Sequence, residues 1–113
     1  MVLSDYFLPG ALVAFMAWRM GTSLRARRQI PRFLAAGARV IDVRTAEEFA
    51  TGHAPGSVNV PLAELLHRVS ELDPKQRLIV CCASGARSGV ARRLLRRKGF
   101  ERVLNAGSWR NLS

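Results

Sequence analysis

The sequence predicts an α/β fold: a central, mostly parallel sheet flanked by helices and preceded by a hydrophobic N-terminal helix. Three observations carry that prediction. The segments ARVIDV (38–43) and RLIVCC (77–82), rich in β-branched and other apolar residues, read as buried strands, the pattern of parallel sheets. Segments with helical signals alternate with these runs. A length of 113 residues with 49% apolar content suits one domain with a real core.

The first element is the apolar stretch from Tyr6 to Trp18. Extended to Leu24 it reaches the roughly 20 residues a membrane span requires. Trp18 then sits at the interface and Arg19 snorkels from near its end. Asp5 precedes the stretch, and Arg19, Arg25, Arg27, Arg28 and Arg32 follow it. A signal peptide has the opposite charge order and a small-residue cleavage site. The pattern therefore predicts an uncleaved anchor over residues 6–24 and a basic linker to residue 28. Residues 29–113 then form a domain held at the membrane in the cytoplasm. The alternative, favoured by Pro9 and Gly10, is a helix packed on the domain of a soluble cytoplasmic protein.

From Pro31 the pattern changes. PRFLAAG (31–37) predicts a short helix, with Pro31 in its first turn and Gly37 at its end. ARVIDV is the first strand. Thr45 and Glu48 form a capping box that opens a helix over TAEEFA. TGHAPGS is loop chemistry and VNV a short strand. Apolar residues at 62, 65, 66, 69 and 72 predict an amphipathic helix over LAELLHRVSEL. RLIVCC is the second buried strand, GVARRLLRRKG (89–99) a helix ending at Gly99, and RVLN (102–105) a last strand.

Eighteen basic residues against eight acidic ones give a formal charge of +10, a surface that favours anions. No nucleic-acid motif accompanies it, so DNA or RNA is not an expected partner. The arginines at 92, 93, 96 and 97 read as a solvated helix face, or as a face for anionic headgroups. The chain has two cysteines, Cys81 and Cys82, side by side. Adjacent cysteines staple no loop, so both are read as reduced thiols. No metal-ligand spacing is present, and no cofactor is expected.

Cys82 stands where a buried strand ends and a loop of small residues, Ala83 to Ala86, leads into a helix. Backbone N–H groups of such a loop, together with a helix N-terminus, hold an anion and favour a thiolate. Arg87 adds a fixed positive charge. Strand alternation sends Cys81 the other way, into the core, as a small hydrophobe. A redox pair is the alternative. His67 reads as solvated, and Arg44 and Glu48 as a structural ion pair. Asp42, at the end of its strand, either holds the active loop or Arg87 in place or is a turn carboxylate.

Five ordered motifs then make this sequence resemble a single-domain rhodanese over about residues 30–110. They are Asp42-Val43-Arg44, Glu48-Phe49, the GHAPG of residues 52–56, Asn59-Val60-Pro61, and the CASGARS of residues 82–88. The resemblance implies a three-layer rhodanese-like fold and a cysteine that takes sulfane sulfur from thiosulfate or a persulfide donor. A thiol or cyanide then accepts the sulfur. Carried over by residue, Cys82 is the catalytic nucleophile and Ala83, Ser84, Gly85, Ala86, Arg87 and Ser88 cradle the sulfur, with Asp42 and Arg44 in support. His53 orders the GHAPG turn. AGSWRNLS is shorter than the family's usual final helix, which predicts a low wall on one side of the pocket, or a wall supplied by another surface. Two rival functions are weighed: a non-catalytic, membrane-tethered binding module, and a phosphatase or arsenate reductase. Four residues separate Cys82 from Arg87, a tighter loop than related phosphatases carry, which argues against phosphate.

Overall fold

In the computed structural model, which describes residues 9–113, four parallel strands form one sheet in the order β2-β1-β3-β4. The strands are β1 (Arg39–Asp42), β2 (Val58–Asn59), β3 (Leu78–Cys82) and β4 (Val103–Ser108). The helices are α1 (Gly10–Ala35), α2 (Ala46–Ala50) and α3 (Ala86–Arg97). All five residues of β3 are buried, as a central parallel strand requires.

The two faces of the sheet bury different cores. On one, Ile41, Val80 and Cys82 pack with Leu65 and with Ala91 and Leu95 of α3. On the other, Val40, Ile79, Cys81 and Leu104 pack with Ile30, Ala26 and Phe33 of α1. Helix, sheet and helix make the expected three layers.

Helix α1 differs from the expected pair of a span and a separate short helix. It runs unbroken for 26 residues with Pro31 inside it. Pro31 has no N–H to give to the carbonyl of Arg27. Burial of Ile30 beside it, and of Phe33 one turn on, holds the helix together across that gap. The other end of α1 exposes Leu12, Val13, Phe15, Met16 and Trp18.

The expected membrane anchor finds no support. Residues 6–8 lie outside the described residues, and among those described no helix is long and apolar enough to cross a membrane. Arg19 ends the apolar stretch too early, and Arg25, Arg27 and Arg28 follow within three turns.

The expected amphipathic helix over residues 62–72 is two short 3-10 turns instead, Leu62–His67 and Val69–Glu71. Burial follows the 3-10 period: Leu65 and Leu72 face the core, with Leu62 and Val69 packed against it, while Leu66 is exposed.

Candidate active site

The site forms at the carboxyl ends of the parallel strands, where α/β sheets place their ligands. Strand β3 ends at Cys82, and α3 begins at Ala86 after one turn of loop. Gly85 caps that helix at φ 108°, a left-handed conformation that L side chains rarely adopt. The turn folds the loop back over the sulfur. The Gly85 N–H donates to Cys82 Sγ at 3.0 Å and the Ser88 N–H at 3.5 Å. The Ser88 hydroxyl lies 3.3 Å from the same sulfur. Cys82 itself has no solvent exposure.

Burial is the largest single influence on the Cys82 thiol and opposes its ionisation. Hydrogen bonds from the Ser88 hydroxyl and from the N–H groups of Ser88, Gly85 and Ser84 together outweigh it and hold the thiol below its ordinary range. The N-terminus of α3 points its positive end at the same place. Cys81 has the opposite fate. It sits in the other core, where burial, and then the Asp42 carboxylate, push its thiol up to about 12. Both cysteines are free and buried, one in each core.

Asn105 is a member of the site that sequence reasoning missed. Its Oδ1 accepts the Ser88 hydroxyl at 2.6 Å and the Gly107 N–H at 2.9 Å. Its Nδ2 donates to the Gly85 carbonyl at 3.1 Å. A bulge makes this possible: β4 pairs Asn105 with Val80 but Gly107 with Cys81, so Ala106 is the extra residue. No feature of RVLNAGS marks a bulge except Gly107, whose φ is 77°.

Arg87 does not aim its guanidinium at the sulfur. It forms a two-pronged ion pair with Glu48, Nη1–Oε1 at 2.6 Å and Nη2–Oε2 at 2.9 Å. That pair ties the sulfur loop to α2. Arg87, and then the Thr45 N–H, hold the Glu48 carboxyl down at about 2. The capping box of Thr45 and Glu48 is present as expected, so one carboxylate serves cap and loop together.

Arg44 therefore does not pair with the Glu48 carboxylate, which Arg87 occupies. It pairs with Asp42, Nη2–Oδ2 at 2.8 Å, and both residues are buried. Arg44 also donates to the carbonyls of Glu48 at 3.3 Å and Gly52 at 2.7 Å, and lies over the Trp109 ring at 4.8 Å. Asp42 thus fixes Arg44 and, through it, the loops around α2, rather than Arg87. Trp109 begins a 3-10 turn, Trp109–Leu112. His53 is exposed, stacks on Phe49 at 3.8 Å and bonds the Phe49 carbonyl at 2.9 Å, so it orders its turn. His67 is exposed. Among the described residues no group of His, Cys, Asp or Glu could hold a metal.

Known proteins share this arrangement of strand, loop and helix. The rhodanese-like domain family matches residues 24–112. The thiosulfate sulfurtransferase PspE of Escherichia coli is 33% identical over 65% of this chain and 72% of its own. The chain spans 36% of the putative sulfur carrier protein YrkF of Bacillus subtilis, with 39% identity over 58% of its own length. Among solved structures, the human single-domain sulfurtransferase TSTD1 superposes with a TM-score of 0.64 at 31% identity, covering 74% of this chain and 88% of TSTD1. A family match over residues 24–112, around a cysteine in an N–H-lined loop, leads to one conclusion: this chain belongs to the rhodanese-like domain family.

Proposed function

We propose that the chain moves sulfane sulfur from thiosulfate or a persulfide donor to a thiol or cyanide, through a persulfide on Cys82. One observation carries this reading: Cys82 Sγ sits at the focus of the Gly85 N–H, the Ser88 N–H and the Ser88 hydroxyl. In the first half-reaction the Cys82 thiolate attacks the outer sulfur of thiosulfate. A new S–S bond forms, the old one breaks, and sulfite leaves with the electron pair. In the second, the acceptor attacks the outer persulfide sulfur, and Cys82 leaves as the thiolate. With cyanide the product is thiocyanate. Negative charge rests on sulfur at each end of the cycle, and the loop donors are already aimed at it, so little reorganisation is required.

The backbone of Ala83 to Ser88 is the cradle in this scheme. Arg87 is a positioning residue that fixes the loop through Glu48, and Asp42 and Arg44 hold the surrounding loops. Residues 29–113 are proposed as the catalytic domain and 1–28 as the segment before it, with Ala26 already packed on the domain core.

Thiosulfate:cyanide turnover by two purified variants tests the reading. Cys82→Ser should lose sulfur transfer, and Cys81→Ser should keep most of it. Equal loss in both would make the cysteines a working pair and overturn the single-thiol mechanism. Turnover that persists in Cys82→Ser would remove Cys82 from the chemistry.

A further inference from the structure

A basic cleft opens beside the sulfur loop, and the persulfide chemistry makes no use of its arginines. It encloses about 560 Å³ between α1 and the neighbouring parts of α3 and β4. Arg19 and Arg25 reach it from α1, and Arg92 and Arg93 from α3. No aspartate or glutamate lines it. Among the described residues the ion pairs engage Arg44, Arg68 and Arg87, and none of the four cleft arginines has a carboxylate partner.

Like charges gathered between two helices repel one another, and low-dielectric walls strengthen the effect. Arg92 is half-buried, and burial first, then the charge of Arg96 on its own helix outside the cleft, hold its guanidinium below the usual range. Its Nε is taken by the Val103 carbonyl at 2.8 Å, which fixes the head and leaves the Nη groups for a ligand. Ser23 and Gln29 add uncharged donors to the wall.

We propose that this cleft binds a small polyanion carrying phosphate-type groups, held between the arginine pair of α1 and the arginine pair of α3. Guanidinium forks match phosphate oxygens two at a time. Four cations on facing walls favour a ligand with at least two negative charges. The volume falls within the roughly 300–1,000 Å³ of small-molecule sites. The cleft shares Ser84 and Gly85 with the sulfur loop, and Asn105 and Gly107 with the groups that support it, so its occupant lies against the backbone that cradles Cys82. The proposal stands on the cleft alone and is independent of the persulfide reading.

Calorimetric titration of the full chain with inorganic pyrophosphate tests it. A single saturable site is expected. The double variant Arg25→Gln/Arg93→Gln, both exposed positions, should weaken binding by about tenfold or more, since charged hydrogen bonds are lost. Arg96→Gln/Arg97→Gln removes the same charge outside the cleft and should change affinity by less than about threefold. Cys82→Ser should leave binding in place. Absence of saturable binding, or equal weakening by the two double variants, would overturn the proposal. So would loss of binding in Cys82→Ser, which would place the anion at the sulfur. Competition then identifies the source. Displacement of pyrophosphate by phosphatidylglycerol vesicles, but not by phosphatidylcholine vesicles, upholds the site with a lipid headgroup as ligand. Binding without displacement upholds it with a free phosphate compound.

Discussion

Ser88→Ala perturbs the one hydroxyl that serves both Cys82 and Asn105. A serine hydroxyl has a single proton to give. With Cys82 as a thiol, that proton lies toward Asn105 Oδ1 at 2.6 Å, and the S–H can donate to Oγ at 3.3 Å. With Cys82 as a thiolate, the hydroxyl turns to the sulfur. Asn105 Oδ1 still accepts the Gly107 N–H at 2.9 Å, so the turn leaves no buried atom unpaired. A hydrogen bond to a charged group is worth about 1.5–3 kcal/mol, and sulfur, a soft acceptor, belongs at the low end. That corresponds to about tenfold in thiolate population, with 1.36 kcal/mol per decade. The backbone donors at Gly85 and Ser88 remain, so the loss is partial. The assay is the pH profile of Cys82 alkylation in a Cys81→Ala background. The folded-state thiol is held low, so reactivity rises with pH through that depressed midpoint. In Ser88→Ala the midpoint should move up by roughly one pH unit, while the plateau at high pH persists. An unmoved midpoint would show that the hydroxyl stays with Asn105 throughout and that the backbone alone stabilises the thiolate.

Arg87→Ala should release the Glu48 carboxyl from about 2 toward the usual carboxylate range, as read by an NMR titration. A depressed carboxyl stabilises the fold above its unfolded-state pKa, and that contribution fades as pH falls through the usual carboxylate range toward about 2. The variant should therefore lose less stability on acidification than the parent. A Glu48 that still titrates near 2 would assign the effect to the Thr45 cap alone. Gly85→Ala should cost about 1–3 kcal/mol in denaturant melts and most sulfur transfer, because Cβ would strain φ 108° and meet Gly107 Cα at 3.2 Å. Parent-like activity would show that the loop relaxes without losing its donors. Ile30→Ala should cost about 2–4 kcal/mol, since this side chain is 7% exposed in the α1-facing core. An unchanged midpoint would mean that α1 contributes nothing to that core.

The sheet was legible because its strands carry their own signal. ARVIDV and RLIVCC are dominated by apolar residues, Val40-Ile41 and Leu78 to Cys82, and the alternation of Cys81 and Cys82 follows from the pleat alone. The Thr45–Glu48 cap was legible because its partners are three residues apart. Long-range pairings were not. Glu48 and Arg87 are 39 positions apart, and nothing local tells Arg87 to turn from the sulfur to a carboxylate. Asn105 was missed because a bulge in β4, visible only once strands are paired, turns it toward the loop. The 62–72 segment misled because spacings of three, Leu62 to Leu65 and Val69 to Leu72, fit a 3-10 turn as well as an α-helix. Pro31 marked a helix start by local rules, and the packing of Ile30 and Phe33 overrode it.

Mass spectrometry of the intact chain and its peptides after thiosulfate treatment tests the persulfide most directly. The account predicts a gain of one sulfur atom on Cys82, none on Cys81, and its loss on adding cyanide. Sulfur carried on Cys81, or a disulfide between the two cysteines in place of the added sulfur, would contradict it.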